Sequence, residues 1–117
     1  YYIYRLINYN LSGGIMALYK TYSEKQKTCK VKFELSAEAA QGAEKVWLAG
    51  DFNSWSSVDT PMKKLKNGSF NVTLTLETGR EYQFRYLLDG KRWENDRAAH
   101  KYIPAPFSNT DNSVVIV

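Results

Sequence analysis

Alternation of apolar and polar residues with a period of two is the feature that most constrains how this chain can fold. Within residues 29–35 the apolar positions are Cys29, Val31, Phe33 and Leu35. Within residues 81–88 one face holds Tyr82, Phe84, Tyr86 and Leu88, and the other holds Gln83, Arg85 and Leu87. Because successive side chains of a β-strand point to opposite faces, each segment is predicted to be a strand with one buried face.

Turn signals divide the rest of the chain into further short strands. Asn67-Gly68 separates residues 61–66 from the alternating residues 69–76, which predicts a β-hairpin with a short edge strand. Residues 94–112 are rich in proline, asparagine and aspartate, and they are predicted to be an extended loop. The remaining predicted strands are residues 45–50 and 113–117, the second of which is apolar on both faces and therefore central or well covered. Together these segments predict an all-β sandwich of about six to eight antiparallel strands.

The N-terminal residues differ in composition from the rest of the chain. Four of the nine tyrosines fall within the first nine residues, and Gly13-Gly14 lies just before Met16, as a translated ribosome-binding sequence would. We therefore expect Met16 to be the native start and residues 1–15 to be a leader; the alternative is a genuine N-terminal strand. Residues 20–30 are polar and lysine-rich, so a solvated lead-in is expected there. The predicted boundaries are 1–27 for leader and lead-in and 28–117 for the folded domain.

Length, charge and cysteine content narrow the class of protein. A chain of 117 residues with 15% aromatic residues is one folded domain. Its net charge of +4 is too small and too dispersed to predict nucleic acid as a partner. The longest apolar run falls short of a membrane span, so no membrane association is expected. The lone cysteine, Cys29, and the lack of a signal-peptide pattern favour a cytoplasmic location.

Residues suited to catalysis are few and scattered. His100 is the only histidine, and nothing places it beside Cys29 as a base beside a nucleophile. Asp89, Glu94 and Asp96 lie near a predicted turn, where solvated or capping roles are expected rather than a glycosidase pair. No spacing of ligands predicts a metal site, and no glycine-rich loop predicts a phosphate-binding cofactor. The sequence therefore predicts neither an enzyme nor a cofactor.

Several aromatic and polar residues are instead placed for binding. Trp55 lies in a polar loop, and Trp93 follows the turn after residues 81–88. Arg85 points to the face of its strand opposite the apolar positions. An indole ring can cover the apolar face of a sugar, while a guanidinium and an amide such as that of Asn112 can bond its hydroxyl groups. Single-stranded nucleic acid could use the same groups, but the low charge argues against it. The alternative for each tryptophan is a structural plug at the end of the sandwich.

Three ordered motifs carry a resemblance to a known family. Residues 46–55, VWLAGDFNSW, resemble the V-x-L-x-G-x-F-N-x-W signature of family 48 carbohydrate-binding modules. Residues 82–93, YQFRYLLDGKRW, and residues 112–117, NSVVIV, are similar to later motifs of the same family. Members include N-terminal domains of isoamylases and branching enzymes and the glycogen-binding domain of the AMP-activated protein kinase β subunit. Among them, small bacterial proteins made of this early-set domain alone are the most similar.

The resemblance implies an immunoglobulin-like sandwich that binds α-1,4-glucan without catalysis. The residues that it implies for binding are Trp55, Arg85, Trp93, Asn112 and Thr110. Residues 89–93 have one residue more than the family's D-G-x-W turn, which affects the angle of the second tryptophan. Phe107 is a candidate for the leucine that enters the glucan helix in the kinase subunit.

A protein-interaction domain is the main alternative to a glucan-binding module. In that case the sugar site has degenerated, and the exposed aromatic residues dock on a partner such as a glucan-modifying enzyme.

Overall fold

The computed structural model describes residues 2–10, 14–106 and 110–117 and consists of two antiparallel β-sheets packed face to face. The first sheet has, in spatial order, β1 (Tyr2–Asn10), β2 (Gly14–Ser23), β3 (Thr28–Leu35), β6 (Phe70–Glu77) and β5 (Lys63–Lys64). The second has β4 (Val46–Gly50), β7 (Glu81–Leu88), β10 (Asp111–Ile116) and β9 (Lys101–Pro104), with β8 (Arg92–Glu94) also paired with β7. The predicted all-β sandwich is confirmed.

Aromatic rings from both sheets meet in one hydrophobic core. The rings of Phe33 on β3 and Phe84 on β7 lie 5.1 Å apart in an edge-to-face arrangement, and Tyr86 packs on Phe84 at 5.8 Å. All three side chains are fully buried. Since each comes from the apolar face predicted by period-two alternation, that pattern correctly identified the inner surfaces of the sandwich.

The predicted hairpin and the central position of the last strand are also confirmed. Leu65 and Ser69 are joined by a backbone hydrogen bond of 2.8 Å around Asn67-Gly68. Gly68 has φ +85°, a left-handed conformation that glycine adopts without a steric penalty. β10 lies between β7 and β9, and its Val114 and Val115, which point to opposite faces, are both fully buried.

Four strands, β1, β2, β8 and β9, lie outside the six segments predicted to be strands, so the described residues form ten strands rather than about six to eight. β2 extends to Ser23, where a polar lead-in was expected. Its Lys20 is 6% exposed, with Nζ 2.6 Å from His100 Nε2 and 2.5 Å from the carbonyl oxygen of Ile116. Lys20 can be buried because its amine contacts polar atoms of residues that are distant in sequence. β9 lies in the expected loop, as a short edge strand paired with β10.

Within the described residues, no helix has both the length and the hydropathy required to cross a lipid bilayer.

β7 is the strand that organises the outer surface of the second sheet. It pairs with β4 on one side, and with β10 and β8 on the other. Side chains directly opposite each other in an antiparallel pair point to the same face. The residues that face outward from β7 therefore have outward-facing neighbours on three other strands.

Candidate functional site

An open groove of about 470 Å³ lies on the outer face of the second sheet. Its lining comes from β7, β8, β10, the loop after β4 and the segment after β9: Asp51, Trp55, Gln83, Arg85, Trp93, Ala105, Pro106 and Asn112. Two indole rings, one guanidinium, one carboxylate and two amides thus converge on one surface. Such a surface offers flat apolar faces beside several hydrogen-bonding groups.

The register of β7 determines the order of groups along the groove. Gln83 and Arg85 are outward-facing residues, two positions apart. Leu87, the next outward residue, is directly opposite Trp93 on β8. Trp93 is 44% exposed, so much of its ring is open to solvent. The groove therefore runs along β7 from Gln83, past the cation of Arg85, to the indole of Trp93.

The loop after β4 brings the second indole to the groove. A short 3₁₀ helix, Asp51–Asn53, begins where β4 ends. The Asp51 carboxylate accepts a 3.0 Å hydrogen bond from Trp55 Nε1 and a 2.7 Å bond from the backbone N–H of Gln83. One side chain thus fixes both the orientation of the Trp55 ring and the position of the loop against β7.

Close backbone approach at the end of β4 requires glycine. A Cβ on Gly50 would lie 2.4 Å from the carbonyl oxygen of Gln83 and 2.9 Å from the Phe84 side chain. Any other residue would push the loop away from β7 and disturb the bonds made by Asp51. Asn53 holds the same turn by accepting from the Gly50 N–H at 3.1 Å and donating to the Leu48 carbonyl at 2.9 Å.

Trp55 has a backbone conformation that is unusual for a bulky residue. Ser54 and Trp55 have φ values of 56° and 59°, both in the left-handed region. Each such non-glycine residue costs of the order of 1–3 kcal/mol, and such residues cluster at functional sites. The fold tolerates this strain while presenting the Trp55 ring to the groove.

A chain of hydrogen bonds crosses from β7 to β10 at the floor of the groove. Arg85 Nε donates to Asn112 Oδ1 at 2.6 Å, and Asn112 Nδ2 donates to Gln83 Oε1 at 3.0 Å. Asn112 is only 5% exposed, with both atoms of its amide engaged, so its contribution here is to hold its two neighbours. The terminal guanidinium nitrogens of Arg85 have no partner among the described residues and can donate to a ligand.

A buried polar cluster supports this floor from the other side of the sheet. The Tyr86 hydroxyl donates to Asp96 Oδ2 at 2.5 Å, and the Asp96 backbone N–H donates to Ser113 Oγ at 2.8 Å. Burial raises the pKa of Asp96 and, with the nearby carboxylate, raises the pKa of Tyr86 well above its ordinary value. The cluster joins the segment after Trp93 to the strand that carries Asn112.

A family comparison identifies the domain. The family model described as the glycogen recognition site of AMP-activated protein kinase matches residues 31–115, nearly three quarters of the chain. The chain belongs to this family. The match confirms the resemblance read from the three motifs, and every residue lining the groove falls within it. Among curated proteins, none matches the chain.

Four of the five predicted site residues of this glycogen recognition domain lie together in the groove: Trp55, Arg85, Trp93 and Asn112. Thr110 is not among the lining residues; it lies on the turn before β10, where its carbonyl accepts a 3.0 Å bond from the N–H of Ala105. Phe107, the candidate for the inserted leucine, lies outside the described residues.

Gln83 and Asp51 are the polar groove residues that were not singled out from the sequence. Gln83 could have been found, since it alternates with Arg85 on the same face of β7. Asp51 could not, because its two bonds depend on the path of the loop.

Cys29 and His100, which were considered as a nucleophile and its base, do not line the groove. Burial raises the pKa of the Cys29 thiol, whose side chain is in the core. In the described residues, no three histidine, cysteine or acidic side chains are grouped as metal ligands would be.

Proposed function

We propose that this domain binds α-1,4-linked glucan chains in the groove between Trp55 and Trp93, without acting on them. The observation that carries the proposal is a single groove lined by the Arg85 guanidinium and by the indole rings of Trp55 and Trp93. Membership of a glycogen recognition family supports this ligand class.

Each part of the groove matches one part of a glucose unit. The exposed indole of Trp93 can lie against the apolar C–H face of a pyranose ring, as can Trp55. The free N–H groups of Arg85 can donate to ring hydroxyls, and the outer lone pairs of the Asp51 carboxylate can accept from them. Since the Asp51 and Asn112 bonds orient these groups in advance, little side-chain freedom is lost on binding.

Binding is expected to be weak, as for a small open groove. A dissociation constant of roughly 10 μM to 1 mM corresponds to about −4 to −7 kcal/mol. A branched polysaccharide offers many chains, so it can bind several copies of the domain at once even though each copy binds weakly. Thr110 is proposed as a peripheral contact at the β9–β10 turn.

Electrophoresis in a native gel cast with glycogen tests the proposal. The wild-type protein should be retarded by glycogen but not by dextran, whose α-1,6 linkages give a different chain shape. Trp55→Ala and Trp93→Ala should each weaken retardation, by about 1–3 kcal/mol in binding free energy. Val58→Ala is the matched control, because Val58 is 69% exposed in the same loop and does not line the groove.

Unchanged wild-type mobility in glycogen would refute sugar binding. The alternative of a protein-docking domain would then be favoured if a glucan-modifying enzyme is captured by the wild type but not by Trp93→Ala. Under either reading a cytoplasmic location is proposed from the single free cysteine. Neither nucleic acid nor a membrane is proposed as a partner.

A further inference from the structure

We propose that Trp47 is a third glucan contact, which extends the groove across β4 and gives the domain a preference for longer chains. This inference rests on the proposed function. It concerns a residue outside the groove lining. It also adds a preference for longer chains, which the groove alone would not produce.

Strand register places Trp47 in one row with Trp93, across the strands at the Leu87 end of the groove. Trp47 on β4 is directly opposite Leu87 on β7, and Leu87 is directly opposite Trp93 on β8. Directly opposed side chains share a face, with Cβ atoms about 4.5–5.5 Å apart. The three side chains therefore form a row across three strands, on the same outer face as Arg85. We call this row the tryptophan strip.

Burial within the strip shows that it forms a continuous surface. Leu87 is only 5% exposed although it faces away from the core, so neighbouring side chains must cover it. Its directly opposed neighbours are Trp47 and Trp93. Leu87 thus fills the space between two indoles, and a ligand that crosses Trp93 meets an apolar surface that leads to Trp47.

The indole N–H of Trp47 is available to a ligand. Among the described residues this N–H has no hydrogen-bond partner. It is also not one of the buried polar atoms without a partner, so it is accessible to solvent. Trp55 differs, since its N–H is already bonded to Asp51. A tryptophan that only plugged the sheet would be expected to bury its ring and to satisfy its N–H inside the protein.

The end of the strip is defined by the segment beside β4. Leu48 N–H donates to the Thr60 carbonyl at 2.9 Å, and Met62 N–H donates to the Val46 carbonyl at 2.8 Å. Trp47 itself is bridged to Pro61. This segment closes the edge of the sheet, so Trp47 is the last aromatic residue in the row.

Length selectivity follows from this arrangement. A short oligosaccharide can occupy the groove between Trp55 and Trp93 without reaching Trp47. A longer chain that continues past Trp93 crosses Leu87 and reaches the third indole. The additional contact strengthens binding only for the longer ligand.

Indole N–H resonances of the wild-type protein give a test that needs no destabilising change. The chain has three tryptophans and therefore three indole signals in a ¹H–¹⁵N spectrum, assignable with single Trp→Phe variants. With maltotriose, the signals of Trp55 and Trp93 should shift and that of Trp47 should not. With maltoheptaose, all three should shift.

Calorimetry on Trp47→Ala gives the second measurement. Its affinity for maltoheptaose should fall roughly threefold to tenfold, the effect of one peripheral aromatic contact, while its affinity for maltotriose is unchanged. Trp93→Ala should lower the affinity for both ligands, and Val58→Ala should change neither affinity.

The outcomes separate the two proposals. If the wild type binds neither oligosaccharide, the proposed function fails. If it binds both and the Trp47 signal is unmoved by maltoheptaose, or moves equally with both ligands, the inference about Trp47 is overturned while glucan binding stands.

Discussion

The two faces of β7 differ in how their side chains are held. On the inner face, Phe84 and Tyr86 are fully buried and are fixed by edge-to-face packing of aromatic rings. On the outer face, the Gln83 and Arg85 side chains are both fixed by hydrogen bonds with the Asn112 amide. One strand thus supplies side chains both to the core and to the groove. Alternate positions along it are subject to different physical requirements, namely volume inside and hydrogen-bond geometry outside.

Replacing an inner-face ring should have the largest effect. Phe84→Ala removes a fully buried side chain between Phe33 and Tyr86, and it should lower the free energy of unfolding by about 3–5 kcal/mol. Urea unfolding followed by fluorescence measures this loss. At temperatures where the variant remains folded, its affinity for maltoheptaose should be close to that of the wild type. A large loss of affinity in the folded variant would show that the two faces are not independent.

A change on the outer face should lower glucan affinity at least as much as it lowers stability. In Asp51→Asn, one acceptor oxygen is replaced by an N–H₂ group that faces either the Trp55 indole N–H or the Gln83 backbone N–H. The expected loss in affinity for maltoheptaose is about 1 kcal/mol, the contribution of one hydrogen bond, with a similar or smaller loss in stability. Calorimetry and urea unfolding measure the two effects. Asp59→Asn, an exposed residue in the same loop, is the control for charge, and equal losses in both variants would contradict a positioning role for Asp51.

The smallest effect is expected at His100, which lies in neither region. Its Nδ1 accepts from the Ile116 backbone N–H at 3.1 Å, and its Nε2 faces the Lys20 amine. Burial, and then the charge of Lys20, lower the pKa of His100 below 6.5. The unfolded chain therefore binds more protons than the folded one, and stability should fall as the pH drops from 6.5 through the folded-state pKa.

NMR titration of the His100 ring measures that pKa directly. Lys20→Met should raise it, because one of the two causes is removed. The part of the acid destabilisation that is due to this ring should be absent in His100→Gln, whereas glucan affinity at neutral pH should be unchanged. A wild-type pKa at or above 6.5 would contradict the structure around this histidine.

The buried and exposed faces of the strands could be predicted from the sequence, for a physical reason. Period-two alternation reports which side of a strand is buried, so the inner positions of β3 and β7 were predicted correctly. Alternation cannot report which strands are neighbours. Trp55, Arg85, Trp93 and Asn112 were singled out from their loop and strand positions and from the family resemblance, and the structure supplies the register that brings them together.

The remaining differences involve contacts between residues distant in sequence. Lys20 interrupts the apolar face of β2, and its partner His100 is eighty positions away. β9 is short, ends at Pro104 and is paired with β10, so its sequence does not stand out from a loop. The role of Asp51 depends on where a turn places its carboxylate. None of these features produces a local pattern.

The left-handed conformation at Trp55 gives a way of reading other members of this family. Glycine would adopt the same φ without strain, and a domain selected for stability alone would gain from having it there. The proposed contact between the Trp55 ring and glucan gives a reason for a tryptophan at this strained position. Relatives with glycine at the equivalent position are expected to have the same β-sandwich fold but not to bind glucan.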